Sequence, residues 1–174
     1  MRALVIYESM FGNTRNVALA IAEGLARTMT VETMEVGAAP AELPADVALL
    51  VVGAPTHAHG LSTTKSRANA AGRIDGQVVS AGLGLREWLR ALHPGPNVVV
   101  AAFDTRIKGP TLFTGSAATS ATKLLQKRHV RRVAMPHSFV LEGATGPLAD
   151  RVSKGELDAA TAWGASLAGE TASA

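Results

Sequence analysis

The chain has 174 residues, 47% of them apolar and none of them cysteine, and 17 lysines and arginines against 14 aspartates and glutamates give it a formal charge of +3. That length makes a single domain, residues 1–174, able to bury roughly 70% of the surface of its unfolded chain, while the absence of cysteine excludes disulfides, thiolate metal sites and a thiol nucleophile. No apolar run approaches the ~20 residues that cross a bilayer, the first residues lack the pattern of a secretory signal, and aromatics at 4% are too few for a base-stacking surface, so the expectation is a cytoplasmic protein with no membrane span and no nucleic-acid partner.

Arg2 to Tyr7 is a short apolar, partly β-branched run, the pattern of a buried strand. After a turn of Ser, Gly and Asn, Val17, Ile21 and Leu25 recur every four residues beside Ala18 and Ala22, which predicts a helix lying on a sheet. Thr30 to Val36 alternates as a strand nearer the sheet edge. Val47 to Val52 is unbroken apolar sequence, the mark of a central strand covered on both faces. Gly53 to Gly84 is rich in Gly, Ala, Ser and Thr and reads as a loop with one short helix.

Leu85, Trp88, Leu89 and Leu92 then mark a helix stopped by His93-Pro94-Gly95-Pro96. Asn97 to Phe103 is the next buried strand, and Asp104 to Gly115 reads as polar loop. Ala117, Ala121, Leu124 and Leu125 draw a helical face that ends in Lys127-Arg128-His129. A strand over Arg131 to Met135 is interrupted at Pro136 and resumes in Ser138 to Leu141. Ser153-Lys154-Gly155-Glu156 has capping-box spacing and opens a last helix along Leu157, Ala160, Gly164 and Leu167. Strand and helix alternate five times, which predicts a parallel sheet with helices on both faces.

In such a sheet, ligands bind beyond the carboxyl ends of the strands, and three segments there carry unusual chemistry. The first is Ser9-Met10-Phe11-Gly12-Asn13-Thr14, hydroxyls, an amide and a glycine between a strand and a helix. Backbone N–H groups at a helix N-terminus favour a phosphate; Asn13 or Thr14 merely capping the helix would explain the same residues. The lysine and spacing of a Walker loop are missing, and so are the three glycines of a dinucleotide fingerprint. A monophosphate is the better match.

The second segment is Gly53-Ala54-Pro55-Thr56-His57-Ala58-His59-Gly60, whose histidines suit a flat ligand, an exposed loop or, less well for want of a third ligand, a metal. The third is Ala102-Phe103-Asp104-Thr105-Arg106, where Asp104 accepts a ligand N–H and Arg106 meets negative charge, or the two form an exposed ion pair of little energetic weight. Ser62-Thr63-Thr64-Lys65-Ser66-Arg67 is a small cationic cluster, suited to a solvated loop or to covering a ligand. Trp88 and Trp163 lie in helical patterns as packing residues.

The first segment resembles the phosphate loop of the flavodoxin-like family, with Gly12-Asn13-Thr14 matching its Gly-x-Thr ending, and VVGAPTHAHG and AAFDTR fall where the two flavin-ring loops of that family fall. The resemblance implies a three-layer αβα doubly wound sandwich, a five-stranded parallel sheet of order 2-1-3-4-5. It implies FMN as cofactor, with Ser9, Met10, Phe11, Gly12, Asn13 and Thr14 on the phosphate. Pro55, Thr56, His57, Ala58, His59 and Gly60 would line one side of the ring, and Asp104, Thr105 and Arg106 the other side and its edge.

Two features depart from electron-transfer flavodoxins: the single tyrosine is Tyr7, with no aromatic in Asp104 to Gly109, and the isoelectric point is about 9.7. A cation near the ring, Arg106 or a protonated His57 or His59, would favour reduced, anionic flavin. That suits two-electron hydride chemistry more than a low-potential one-electron shuttle, whereas the resemblance itself implies electron transfer between a reductase and an acceptor, which is a redox partner protein or a small molecule such as a quinone. A flavin-dependent reductase or dehydrogenase of a quinone or porphyrinogen-like substrate, and a flavin-free binding module, are the alternatives on the same scaffold.

Overall fold

The computed structural model describes residues 1–57, 59–73, 77–109, 114–142 and 152–174. Strands β1 (Arg2–Tyr7), β2 (Thr30–Glu35), β3 (Val47–Pro55), β4 (Val99–Ile107), β5 (Arg131–Arg132) and β6 (His137–Leu141) alternate with helices α1 (Asn13–Leu25), α2 (Thr64–Ala71), α3 (Leu85–Ala91), α4 (Ala117–Gln126) and α5 (Lys154–Ala172). The sheet is parallel in the order β2-β1-β3-β4-β5, with β6 also paired to β4. The expected fifth position is thus one strand broken in two around Pro136, which has no N–H for the ladder.

Period-two alternation divides the strands between two cores. Leu4, Ile6, Leu50, Val52, Val100 and Ala102 face Leu85, Trp88, Leu89 and the Ala117, Ala121 and Leu125 stripe of α4. Ala3, Val5, Leu49, Val51, Ala101 and Phe103 face Val17, Ile21 and Leu25 of α1 and Ala160 and Leu167 of α5. Those are the helical faces that spacing predicts, and they make the three layers of a doubly wound α/β sandwich. Trp163 packs edge-on against Phe103 and Phe139 and stacks on His137.

Two local expectations change. The strand predicted to end at Phe103 runs to Ile107, because β4 is paired on both sides: Asp104 and Thr105 stand opposite Ala54 and Pro55 of β3 and Ser138 and Phe139 of β6. Ladder bonds on both sides hold the backbone extended through polar residues that a loop would otherwise claim. At the start of α5, Ser153 accepts from the Glu156 N–H at 3.4 Å as a cap, but Glu156 Oε2 accepts from Val140 N–H at 3.1 Å, tying the helix to β6 instead of closing a capping box. Among the described residues, no helix is long and apolar enough to cross a membrane.

Candidate functional site

In the order β2-β1-β3-β4-β5, connections leave β1 toward one edge and β3 toward the other, so the carboxyl ends of β1, β3 and β4 border one crevice. All three sequence-predicted segments lie there. The structure bonds them to one another.

The turn after β1 enters α1 through Gly12, whose φ of +91° is a left-handed conformation that glycine adopts without penalty. Asn13 and Thr14 are already inside the helix, so neither is its N-cap. The Ser9 hydroxyl, fully buried, accepts from the N–H groups of Gly12 at 3.1 Å and Arg15 at 3.4 Å. Two amides of the turn therefore converge on one oxygen atom, and the space where a Cβ of Gly12 would stand is open for 4 Å around. A phosphate oxygen sharing or taking the place of the Ser9 hydroxyl would meet the same donors, with the positive end of α1 behind them. Arg15, unnoticed in the sequence pattern, adds a cation in the first turn of the helix.

Thr14 is buried, and its hydroxyl lies 2.7 Å from the hydroxyl of buried Thr105 on β4. The phosphate turn and the third segment are thus joined side chain to side chain. Thr56 N–H donates to the Thr105 carbonyl at 2.9 Å, which brings in the second segment. There, His57 and Gly60 exchange backbone hydrogen bonds at 2.9 and 3.0 Å, with His59 exposed at φ +76°. Ala58 lies outside the described residues. Pro55 is the last residue of β3, half-buried.

Thr56, Asp104 and Arg106 each make structural hydrogen bonds. The Thr56 hydroxyl accepts from Ala117 N–H at 3.0 Å, and Asp104 Oδ2 accepts from the Ser116 hydroxyl at 2.6 Å and Ala118 N–H at 3.0 Å. Both hold the first turn of α4 against the sheet. Arg106 donates to the Gly109 carbonyl at 2.7 Å and the Thr114 hydroxyl at 2.9 Å, shaping its own loop, while its Nε is buried with no partner among the described residues. His57 is kept neutral to lower pH than an ordinary imidazole, first by burial and then by the charges of Arg67 and Arg73. At neutral pH it offers a donor and an acceptor, not the cation that the sequence allowed. Among the described residues, no group of three or more carboxylates and histidines is placed to hold a metal.

A buried polar seam under the turn is what sequence reasoning missed. Glu8 is fully buried, and its Oε2 accepts from Leu85 N–H at 2.7 Å. Beside it, Arg67 donates to the Ser62 hydroxyl at 2.9 Å and to Glu87 Oε2 at 3.1 Å. The only signal in the sequence is a carboxylate placed directly after an apolar strand. Ser62 and Arg67, grouped with a cationic cluster, are buried; Thr63 and Ser66 of that cluster form a capping box for α2.

Burial raises the Glu8 pKa above its usual 4.5, against the Ser62 hydroxyl, the Leu85 N–H and the Arg67 charge, which lower it. The folded state then holds this proton more tightly than the unfolded state, so Glu8 costs stability as pH rises upward from about 4.5. Glu8→Gln should raise the melting temperature at pH 7, with the gain over wild type vanishing as pH falls toward 4. Scanning calorimetry across that range checks it, and a gain that grows on acidification would contradict the assignment.

The comparisons agree with this fold. A family model for flavodoxin matches residues 5–90, taking in the turn, the second segment and the polar seam. That stretch matches the flavodoxin family, and the fold of the chain is flavodoxin-like. Among solved structures, flavodoxin 1 from Bacillus cereus superposes with a TM-score of 0.66 at 17% identity over 99% of this chain and 98% of that one. A flavodoxin from the domain Archaea gives 0.62 at 14% identity, over 99% of each chain. Rubredoxin oxygen:oxidoreductase from Desulfovibrio gigas gives 0.64 at 15% identity over 99% of this chain. This chain spans only 36% of the length of that enzyme. No curated protein sequence matches. Together these matches support a flavodoxin-like flavin redox module.

Proposed function

We propose that this flavodoxin-like protein binds FMN and passes electrons between a reductase and an acceptor. The observation that carries the reading is the turn in which Gly12 N–H and Arg15 N–H converge on one oxygen, with open space over Gly12. Ser9, Met10, Phe11, Gly12, Asn13 and Thr14 would hold the phosphate. Pro55, Thr56, His57, His59 and Gly60 on one side, and Asp104, Thr105 and Arg106 on the other, would border the ring. When bound, the flavin supplies reversible electron storage; the chain supplies the dipole and donors that bind it and an uncharged His57 beside it.

Flavin-free protein titrated into FMN, with quenching of flavin fluorescence as the readout and riboflavin as the control, tests this. Charge-assisted hydrogen bonds to a phosphate contribute about 1.5–3 kcal/mol each, so FMN should bind on the order of a hundredfold more tightly than riboflavin. Equal binding of the two would remove the phosphate from the site. Binding of neither would leave a flavin-free module on this fold. Mixing the reduced, loaded protein with a quinone then separates a small-molecule acceptor from a protein one.

A further inference from the structure

The segment 77–84 is mostly exposed, with Gln77, Val79, Ala81, Gly82 and Leu83 all facing solvent, yet Ser80 in its middle is 1% exposed. Burying a hydroxyl costs free energy unless it is bonded. The Ser80 hydroxyl accepts from Ser9 N–H at 2.9 Å, and Ser80 N–H donates to the Ser9 carbonyl at 2.8 Å. One residue earlier, Val79 N–H donates to the Met10 carbonyl at 3.0 Å. Three hydrogen bonds from two residues thus fix the peptide planes on both sides of Ser9 and the one after Met10.

Ser9 is the residue whose hydroxyl gathers the Gly12 and Arg15 amides. Its side-chain direction follows from its backbone, and its backbone is held from outside the turn.

We propose that Ser80 is a positioning residue of the phosphate site, and that segment 77–84 is a brace that sets the turn in its anion-binding shape before any ligand arrives. A turn whose amides all point one way is opposed by the repulsion of its own dipoles, and external bonds that hold it reduce the ordering that binding must impose. The brace also takes Ser9 N–H away from the ligand and fixes the Ser9 hydroxyl around which the Gly12 and Arg15 amides gather. The inference rests on the reading of this turn as the site of the FMN phosphate.

The test uses Ser80→Ala and Ser80→Thr in the full chain, each titrated with FMN and with riboflavin. Removing the hydroxyl leaves Ser9 N–H buried without a partner, and FMN affinity should fall about tenfold. Riboflavin affinity should hold steady, because riboflavin has no phosphate for the turn to grip, and Ser80→Thr should keep the wild-type ratio of the two affinities. An unchanged ratio in Ser80→Ala, or an equal fall for both flavins, overturns the proposal. Amide hydrogen exchange of the free wild-type chain decides the matter should Ser80→Ala fail to fold or FMN fail to bind. Ser9, Val79 and Ser80 should then exchange slowly and on a common timescale, and fast exchange at Val79 and Ser80 beneath a protected sheet overturns the brace whatever the cofactor.

Discussion

Arg67→Ala should cost about 2–4 kcal/mol of folding stability, measured by urea denaturation at pH 7, the upper part of the usual 3–5 for breaking a buried pair being discounted because Glu87 is partly exposed. The Arg67 side chain is 9% exposed against 32% for Glu87, so the guanidinium is the desolvated partner. Its bonds to Ser62, Glu87 and, at 3.5 Å, the Thr64 hydroxyl tie α2 to the start of α3. The fit is tight: a Cβ on Gly84 would come within 2.1 Å of a guanidinium nitrogen.

Arg67→Lys should recover only a fraction, since an ammonium lacks the planar fork that reaches two partners at once. The penalty should also shrink as pH falls toward 4.5, because the attraction of Arg67 for Glu8 exists only while Glu8 is ionised. A cost below ~0.5 kcal/mol would mean that the seam is wet and the turn above it is supported some other way.

Gly164→Ala should cost about 2–3 kcal/mol, although alanine is the better helix former by up to about 1 kcal/mol. At Gly164 of α5 an added Cβ would lie 2.2 Å from the Ile21 carbonyl oxygen, and at Gly24 of α1 it would lie 2.0 Å from the Thr161 carbonyl oxygen. The two helices cross backbone to backbone, and neither carbonyl is the free end of a side chain that can swing away. Gly169, also in α5, has nothing within 4 Å of the same position. Gly169→Ala is therefore the internal control, and it should stabilise by up to about 1 kcal/mol. Paired denaturation curves read both signs; loss at both sites would point to a general intolerance of α5, and gain at both would refute the close crossing.

The fold was legible because each element announces itself by a period that local chemistry sets. Val17, Ile21 and Leu25 need only a helix to share a face, and the run from Val47 to Val52 needs only burial on both sides to make sense. Alternation then leaves few topologies. The turn after β1 was legible for the same reason: a glycine between a strand and a helix, flanked by hydroxyls, limits what the backbone can do.

The side-chain roles were not. Asp104 and Thr56 bond the start of α4, and His57 is neutral at pH 7, because of neighbours 10 to 61 residues away whose approach no local pattern encodes. Glu8 stood in plain view after β1, but its significance depends on Leu85 and Arg67 arriving beside it. Ser80 gave no signal at all.

The sequence by itself determined the order of strands and helices, which faces they bury, and the turn at Ser9 to Thr14, since these follow from hydrophobic period and backbone permission over a few residues. Only the tertiary structure decided which polar atoms meet across the crevice. A hydrogen bond between Ser9 and Ser80, or between Thr14 and Thr105, joins residues 71 and 91 apart in sequence, and such a bond exists only once the sheet and its helices have brought both ends to the same place.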